Sequence, residues 1–138
     1  MRSIEPRDRA AGRSPGDARF VLLKHTGHPD DPTGRHYDLL LEEPNACQTW
    51  RLADVPVLGG PPVKAELLPP HRLAWLDIEA GEVSGGRGFA RRIAAGRYEW
   101  LPLPPEHPRG QDTVLVRLTG DSVSGVLEIN PRGRASLS

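Results

Sequence analysis

The sequence predicts a mostly β domain: a small closed or partly open β barrel of about eight short strands with little helix. Two observations lead to this prediction. The 138 residues include 15 glycines and 15 prolines, which interrupt the chain too often for long helices. Apolar, β-prone runs recur at short and even intervals between turn-forming segments, which is typical of barrels and sandwiches. The length suits a single domain that buries its core without disulfides.

The predicted domain covers residues 19–131, between two tails. Residues 1–18 lack periodicity and are expected to be a flexible N-terminal tail, and residues 132–138 are polar and are expected to be a C-terminal tail. In the first half of the domain, strands are predicted for FVLLKH (20–25), HYDLLLE (36–42), CQTWRL (47–52) and HRLAWLDIE (71–79).

The remaining segments complete the predicted barrel. VKAELL (63–68) is predicted to form a short helix, which the following Pro69 and Pro70 would end. FARRIAA and RYEWL flank Gly96 and predict a hairpin, and TVLVRLT and SVSGVLEI predict a final hairpin around Gly120 and Asp121.

Composition narrows the classes of function. The 18 basic and 18 acidic residues balance, so any binding of nucleic acid must be local rather than a general basic coat. A single cysteine, Cys47, excludes an intrachain disulfide and a cysteine-based zinc cluster. No apolar run approaches the roughly 20 residues of a membrane helix, and no signal-peptide core is evident, so a cytoplasmic protein with no membrane partner is expected.

The strongest chemical signal lies in HYDLLLE. Alternation along a strand places His36, Asp38 and Leu40 on one face, opposite the apolar face expected to enter the core. Antiparallel pairing with the preceding strand would bring its last residue, His25, beside His36. Two imidazoles and a carboxylate suit a divalent Mn, Fe, Zn, Ni or Co ion, and three protein ligands leave positions open for substrate. From these residues alone, a hydrogen-bonded His–Asp pair with a surface histidine remains an alternative.

The order and spacing of several blocks resemble the 3′-phosphoesterase module of bacterial DNA ligase D. The resemblance runs from Phe20 to Ile129 and is more specific in its order than in any one block. The blocks that carry it are FVLLKH at 20–25, HYDLLLE at 36–42, TW at 49–50, HRLAWLDIEAGEVSGGRG at 71–88, AGRYEW at 95–100 and LVRLTGDSVSGVLEI at 115–129.

This resemblance implies a compact β barrel whose metal is held by His25, His36 and Asp38. It implies Mn²⁺ as the preferred ion, with Zn²⁺ or another transition metal as the alternatives. His71 matches the family histidine that contacts the reacting phosphate. The implied reaction removes a 3′-terminal ribonucleotide and then a 3′-phosphate. The implied partners are DNA or RNA/DNA 3′ ends, together with DNA repair proteins.

Several positions depart from the family pattern. Leu40 replaces the family arginine that follows the aspartate, Asp54 falls near a family lysine, and Trp75 stands where the family has a tyrosine. The metal ligands are therefore kept while much of the phosphate clamp is changed. Arg87, between glycines in the SGGRG loop, is the first choice for a compensating catalytic cation, because glycine permits close approach to a ligand; a solvated turn residue is the alternative.

Arg51 and Arg35 are the second choices for that cation. The resulting hypothesis is a metal-dependent 3′-phosphoesterase of nucleic-acid 3′ ends. Because Leu40 lacks a charge, a catalytically weak or inactive metal- or nucleic-acid-binding module is the alternative. A metalloenzyme for another phosphorylated substrate is a third possibility.

Overall fold

The chain folds into a closed antiparallel β barrel, which confirms the predicted fold class. The computed structural model describes residues 17–29, 34–83, 85–103 and 113–138. Within these ranges it contains nine strands: β1 (Ala18–Thr26), β2 (Arg35–Glu42), β3 (Cys47–Leu52), β4 (Val63–His71), β5 (Ala80–Glu82), β6 (Phe89–Trp100), β7 (Val114–Gly120), β8 (Ser124–Ile129) and β9 (Arg134–Leu137).

Eight of these strands close the barrel, in the order β1-β2-β3-β4-β9-β8-β7-β6, and β6 pairs back with β1. The short β5 extends the sheet at the other edge of β6. No helix in the described part of the chain is long and apolar enough to cross a bilayer.

Two hydrophobic clusters lie on opposite faces of β1 and β2. The barrel interior holds the larger one, which includes Phe20, Leu22, Leu39, Leu41, Tyr98 and Val116. We call the smaller one the outer core; its buried members are Val21, Leu23, Leu40, Cys47 and Leu76. Leu76 comes from a 3₁₀ helix, Leu73–Asp77, which covers the outside of the barrel here. Both faces of β2 are therefore buried, apart from its first residue.

The helix predicted over residues 63–68 was wrong, because this segment belongs to β4. Trp50 pairs with Leu67, and Leu52 pairs with Ala65, so tertiary pairing overrides the local helical pattern. Pro69 also lies in β4, beside a register shift between Cys47 and Thr49. An irregularity of this kind tolerates proline, because the missing N–H removes no regular ladder bond.

The strand predicted over residues 71–79 was also wrong beyond His71. Leu73 and Leu76 are three residues apart, which matches the period of a 3₁₀ helix, and both pack into the outer core. The apparent alternation of this segment therefore reflected a helical turn covering the barrel.

The predicted turn at Gly96 is absent, because β6 runs unbroken through it for 12 residues. A Cβ at this position would meet the Thr119 carbonyl oxygen and would lie 2.5 Å from the Cα of Gly120 and 2.9 Å from Phe20 Cε1. The glycine therefore permits close packing inside the barrel rather than a reversal. The final hairpin is confirmed by the pairing of β7 with β8.

The chain ends differ from the predicted tails. Residues 134–137 form β9, which pairs with β8 and β4 and buries Ala135 and Leu137, so the C-terminal tail prediction was wrong. The hydrophobic members of RASL complete the wall that closes the barrel. At the other end, β1 begins at Ala18, and the tail predicted before it falls, except for its last two residues, outside the described residues.

Replacement of Gly96 by alanine tests this packing. We expect Gly96→Ala to lower the free energy of unfolding by about 1–3 kcal/mol, because the added methyl group overpacks the barrel interior. Gly81→Ala is the matched control, since a Cβ there meets nothing within 4 Å. Urea unfolding followed by circular dichroism measures both. Equal stability of the two variants would contradict this account of Gly96.

Candidate metal centre

The predicted metal ligands come together at one end of the β1–β2 ladder. His25 and His36 are direct partners in the antiparallel register, and their rings stack with centroids 4.9 Å apart and an interplanar angle of 14°. Asp38 follows two residues after His36 and points to the same face. The structure thus confirms the expected juxtaposition of the two histidines.

Donor atoms of the three side chains converge. His25 Nε2 lies 3.2 Å from Asp38 Oδ2, and His36 Nε2 lies 3.7 Å from Asp38 Oδ1. One ligand atom from each residue falls within 4.8 Å of the others. All three residues are buried, with Asp38 only 1% exposed. The cluster is therefore compact enough to hold a single ion.

Several buried polar atoms of the cluster lack hydrogen bonds, which suits a bound cation. His25 Nδ1 and Nε2 and Asp38 Oδ1 are buried without a hydrogen bond, and the short contact of His25 Nε2 with Asp38 Oδ2 lacks hydrogen-bond geometry. Such atoms are costly to bury unless another group compensates them. Burial lowers the pKa of His25, which favours the neutral imidazole that ligates metals. Together with the carboxylate, these donors form a set suited to Mn²⁺, Fe²⁺ or Zn²⁺.

His71 joins the cluster from β4. Its Nε2 lies 3.7 Å from Asp38 Oδ2, and its Nδ1 lies 3.2 Å from the carbonyl oxygen of Pro69. A carbonyl only accepts, so Nδ1 must carry the proton that forms this bond. Asp38 raises the pKa of His71 above its usual range, which favours the imidazolium. The irregularity at Pro69 thus positions the His71 ring beside the candidate metal ligands.

The loop between β5 and β6, which contains Gly85, Gly86 and Gly88, lies at the same end of the barrel as the candidate metal ligands. Gly88 is packed against the backbone of Gly27 and His28, just after His25, so closely that a Cβ would lie 2.9 Å from the Gly27 carbonyl carbon. Arg87 is exposed on this loop. Its orientation toward the cluster stays a prediction. His28, in the loop after β1, was expected to be a bystander; its ring approaches the His36 ring edge-on with centroids 5.9 Å apart.

The Leu40 side chain packs into the outer core. It is fully buried in the outer core, under the 3₁₀ helix and in the same cluster as Cys47 and Leu76. Although Leu40 shares a strand face with Asp38, it packs into the outer core instead of facing the candidate metal ligands. The packing of the 3₁₀ helix, which the sequence did not predict, accounts for the difference.

Metal binding can be measured directly. We expect wild-type protein to bind Mn²⁺ by calorimetry and Asp38→Asn to bind it at least about tenfold more weakly, because a ligand carboxylate is lost. Asp54→Asn is the control, since Asp54 is exposed and bonds only the adjacent Val55 N–H in the described structure. Unchanged affinity in Asp38→Asn would rule out this ligand set.

The burial of Cys47 in the outer core gives a further testable prediction. Burial raises the pKa of the Cys47 thiol to about 11, and the side chain is inaccessible. Because the thiolate is the reactive form, we expect iodoacetamide at pH 8 to label Cys47 much more slowly in the folded protein than in urea. Mass spectrometry gives both rates. Equally fast labelling would show that the outer core is open.

Sequence comparison agrees with the resemblance seen in the blocks. No protein-family model matches the chain. A search of curated proteins finds the multifunctional non-homologous end joining protein LigD of Pseudomonas aeruginosa, which is 29% identical over 132 residues. The match covers 91% of this chain but only 16% of that protein. The similarity, over nearly the whole chain, supports a LigD-related domain.

Proposed function

We propose that the chain is a metal-dependent 3′-phosphoesterase that acts on nucleic-acid 3′ ends in DNA end repair, in the cytoplasm. The observation that carries the proposal is the convergence of His25, His36 and Asp38 with His71 on one face of the barrel. The similarity to an end-joining protein supports DNA or RNA/DNA ends as the partners. The reaction would remove a 3′-phosphate or a 3′-ribonucleotide.

The three candidate ligands supply the site for a divalent ion, with Mn²⁺ as the proposed one. When bound, such an ion provides Lewis-acid stabilisation of phosphoryl oxygens or lowers the pKa of water. The remaining chemistry falls to the chain. Burial of Asp38 keeps its carboxylate away from bulk solvent, and each of the two stacked imidazoles contacts one of its oxygens. That arrangement preorganises the ligands.

His71 is the proposed catalytic residue. Phosphomonoester hydrolysis breaks the bond between phosphorus and the 3′ oxygen; water adds to phosphorus, and the 3′ oxygen gains a proton. A cationic imidazole can stabilise the charge on the phosphoryl oxygens or protonate the leaving oxygen. Pro69 and Asp38 favour this cationic form from the two sides of the ring. Arg87 is proposed to assist from its glycine loop.

A catalytically weak or inactive binding module is the second candidate. Leu40 favours it, because a buried aliphatic side chain occupies the position of the family arginine. Asp54, exposed near the position of a family lysine, adds a charge of the wrong sign for phosphate. Both functions allow the protein to bind the metal, but only the phosphoesterase is expected to release phosphate from a 3′ end.

Release of phosphate from DNA bearing a 3′-phosphate separates these candidates. We expect wild-type protein with Mn²⁺ to release phosphate, and EDTA to abolish the release. His71→Ala should lower kcat by about 100-fold or more, the usual contribution of a general acid or base. Phosphate release from labelled oligonucleotides gives the rates.

The same oligonucleotide with a 5′-phosphate is the substrate control, and Arg132→Ala, at an exposed position beyond β8, is the control variant. Wild-type protein that binds Mn²⁺ but leaves both substrates intact would favour the binding module.

A further inference from the structure

Arg51 lies directly beside the candidate metal centre. It is the register partner of Asp38 in the β2–β3 ladder. Side chains of directly opposed residues in an antiparallel pair lie on the same face, with Cβ atoms about 4.5–5.5 Å apart. The guanidinium of Arg51 therefore extends from β3 on the same face as the Asp38 carboxylate.

Arg51 carries a side-chain donor without a hydrogen-bond partner. The side chain is half-buried, and its Nε is inaccessible to solvent with no hydrogen-bond partner. Glu66 is its register partner on the other side, in β4, yet no salt bridge joins Arg51 to Glu66 or Asp38 among the described residues. Asp38 instead contacts three imidazoles, those of His25, His36 and His71.

Leu40, two residues after Asp38 in β2, supplies no charge to the site. Leu40 is buried in an apolar cluster, and a cation there would be desolvated without a partner. Arg51, the direct register partner of Asp38, carries a charge suited to phosphate, and its planar fork can donate two parallel bonds to phosphate oxygens.

We propose that Arg51 is the phosphate-binding residue of this site and contacts the non-bridging oxygens of a terminal phosphomonoester. The inference rests on the proposed function and names a different cation from Arg87. It accounts for an arginine on this face of β3 with an unsatisfied, desolvated Nε.

Binding of inorganic phosphate to the Mn²⁺-loaded protein tests the inference apart from turnover. By calorimetry, we expect Arg51→Met, which keeps the aliphatic stem, to bind phosphate at least about tenfold more weakly than wild type. Arg51→Lys should lie between them, because an ammonium group cannot bind in the bidentate mode. Arg132→Met should bind like wild type. Phosphate binding by Arg51→Met equal to that of Arg132→Met would overturn the inference.

Folding and turnover complete the test. Circular dichroism checks each variant; if Arg51→Met does not fold, Arg51→Lys decides, with a loss of about threefold or more expected. Phosphate binding that depends on Arg51 without release from 3′-phosphate DNA would support the inference and reject the proposed function. Turnover with an unchanged KM and kcat in Arg51→Met, but a loss in Arg87→Ala, would overturn the inference and support the proposed function.

Discussion

The antiparallel register of β1 and β2 is the constraint on which the candidate site depends. It sets His25 opposite His36 and places Asp38 on the same face. A slip of one residue would turn every side chain of one strand to the opposite face, so the site and both hydrophobic clusters would be lost together. The apolar residues that alternate with these ligands, such as Leu22 and Leu39, hold the register by filling the barrel interior.

The outer core gives this site its chemical character. A strand face at the outside of a barrel would ordinarily meet water, where a carboxylate and two imidazoles are well solvated. Here the 3₁₀ helix buries Leu40 and Cys47 on that face, and Asp38 is buried beside them. Polar atoms without partners in such surroundings are stabilised by a cation or by a charged ligand. Folding therefore buries the candidate donor atoms at the same place where it gathers them.

The strand irregularity in β4 positions His71 beside the candidate metal ligands. Pro69 supplies a carbonyl oxygen for His71 Nδ1, while the other ring nitrogen faces Asp38. A regular strand would have aimed this side chain according to simple alternation; the register shift re-aims it. Pro69 and Pro70 leave this stretch of β4 without two N–H groups, which weakens it as an edge for pairing with another chain.

The sequence by itself determined the β class, strands β1 to β3, the final hairpin and the convergence of the candidate triad His25, His36 and Asp38, because alternation and turn residues act locally and specify which face each side chain takes. Only the tertiary structure decided that residues 63–68 extend as β4, that Gly96 lies within a strand, and that the segment after His71 coils over the outer core. Each of these depends on a partner distant in the chain, and local propensity is too weak to oppose it. The same reason explains Arg51: its side-chain chemistry was visible in the sequence, but its place opposite Asp38 follows from the β2–β3 register.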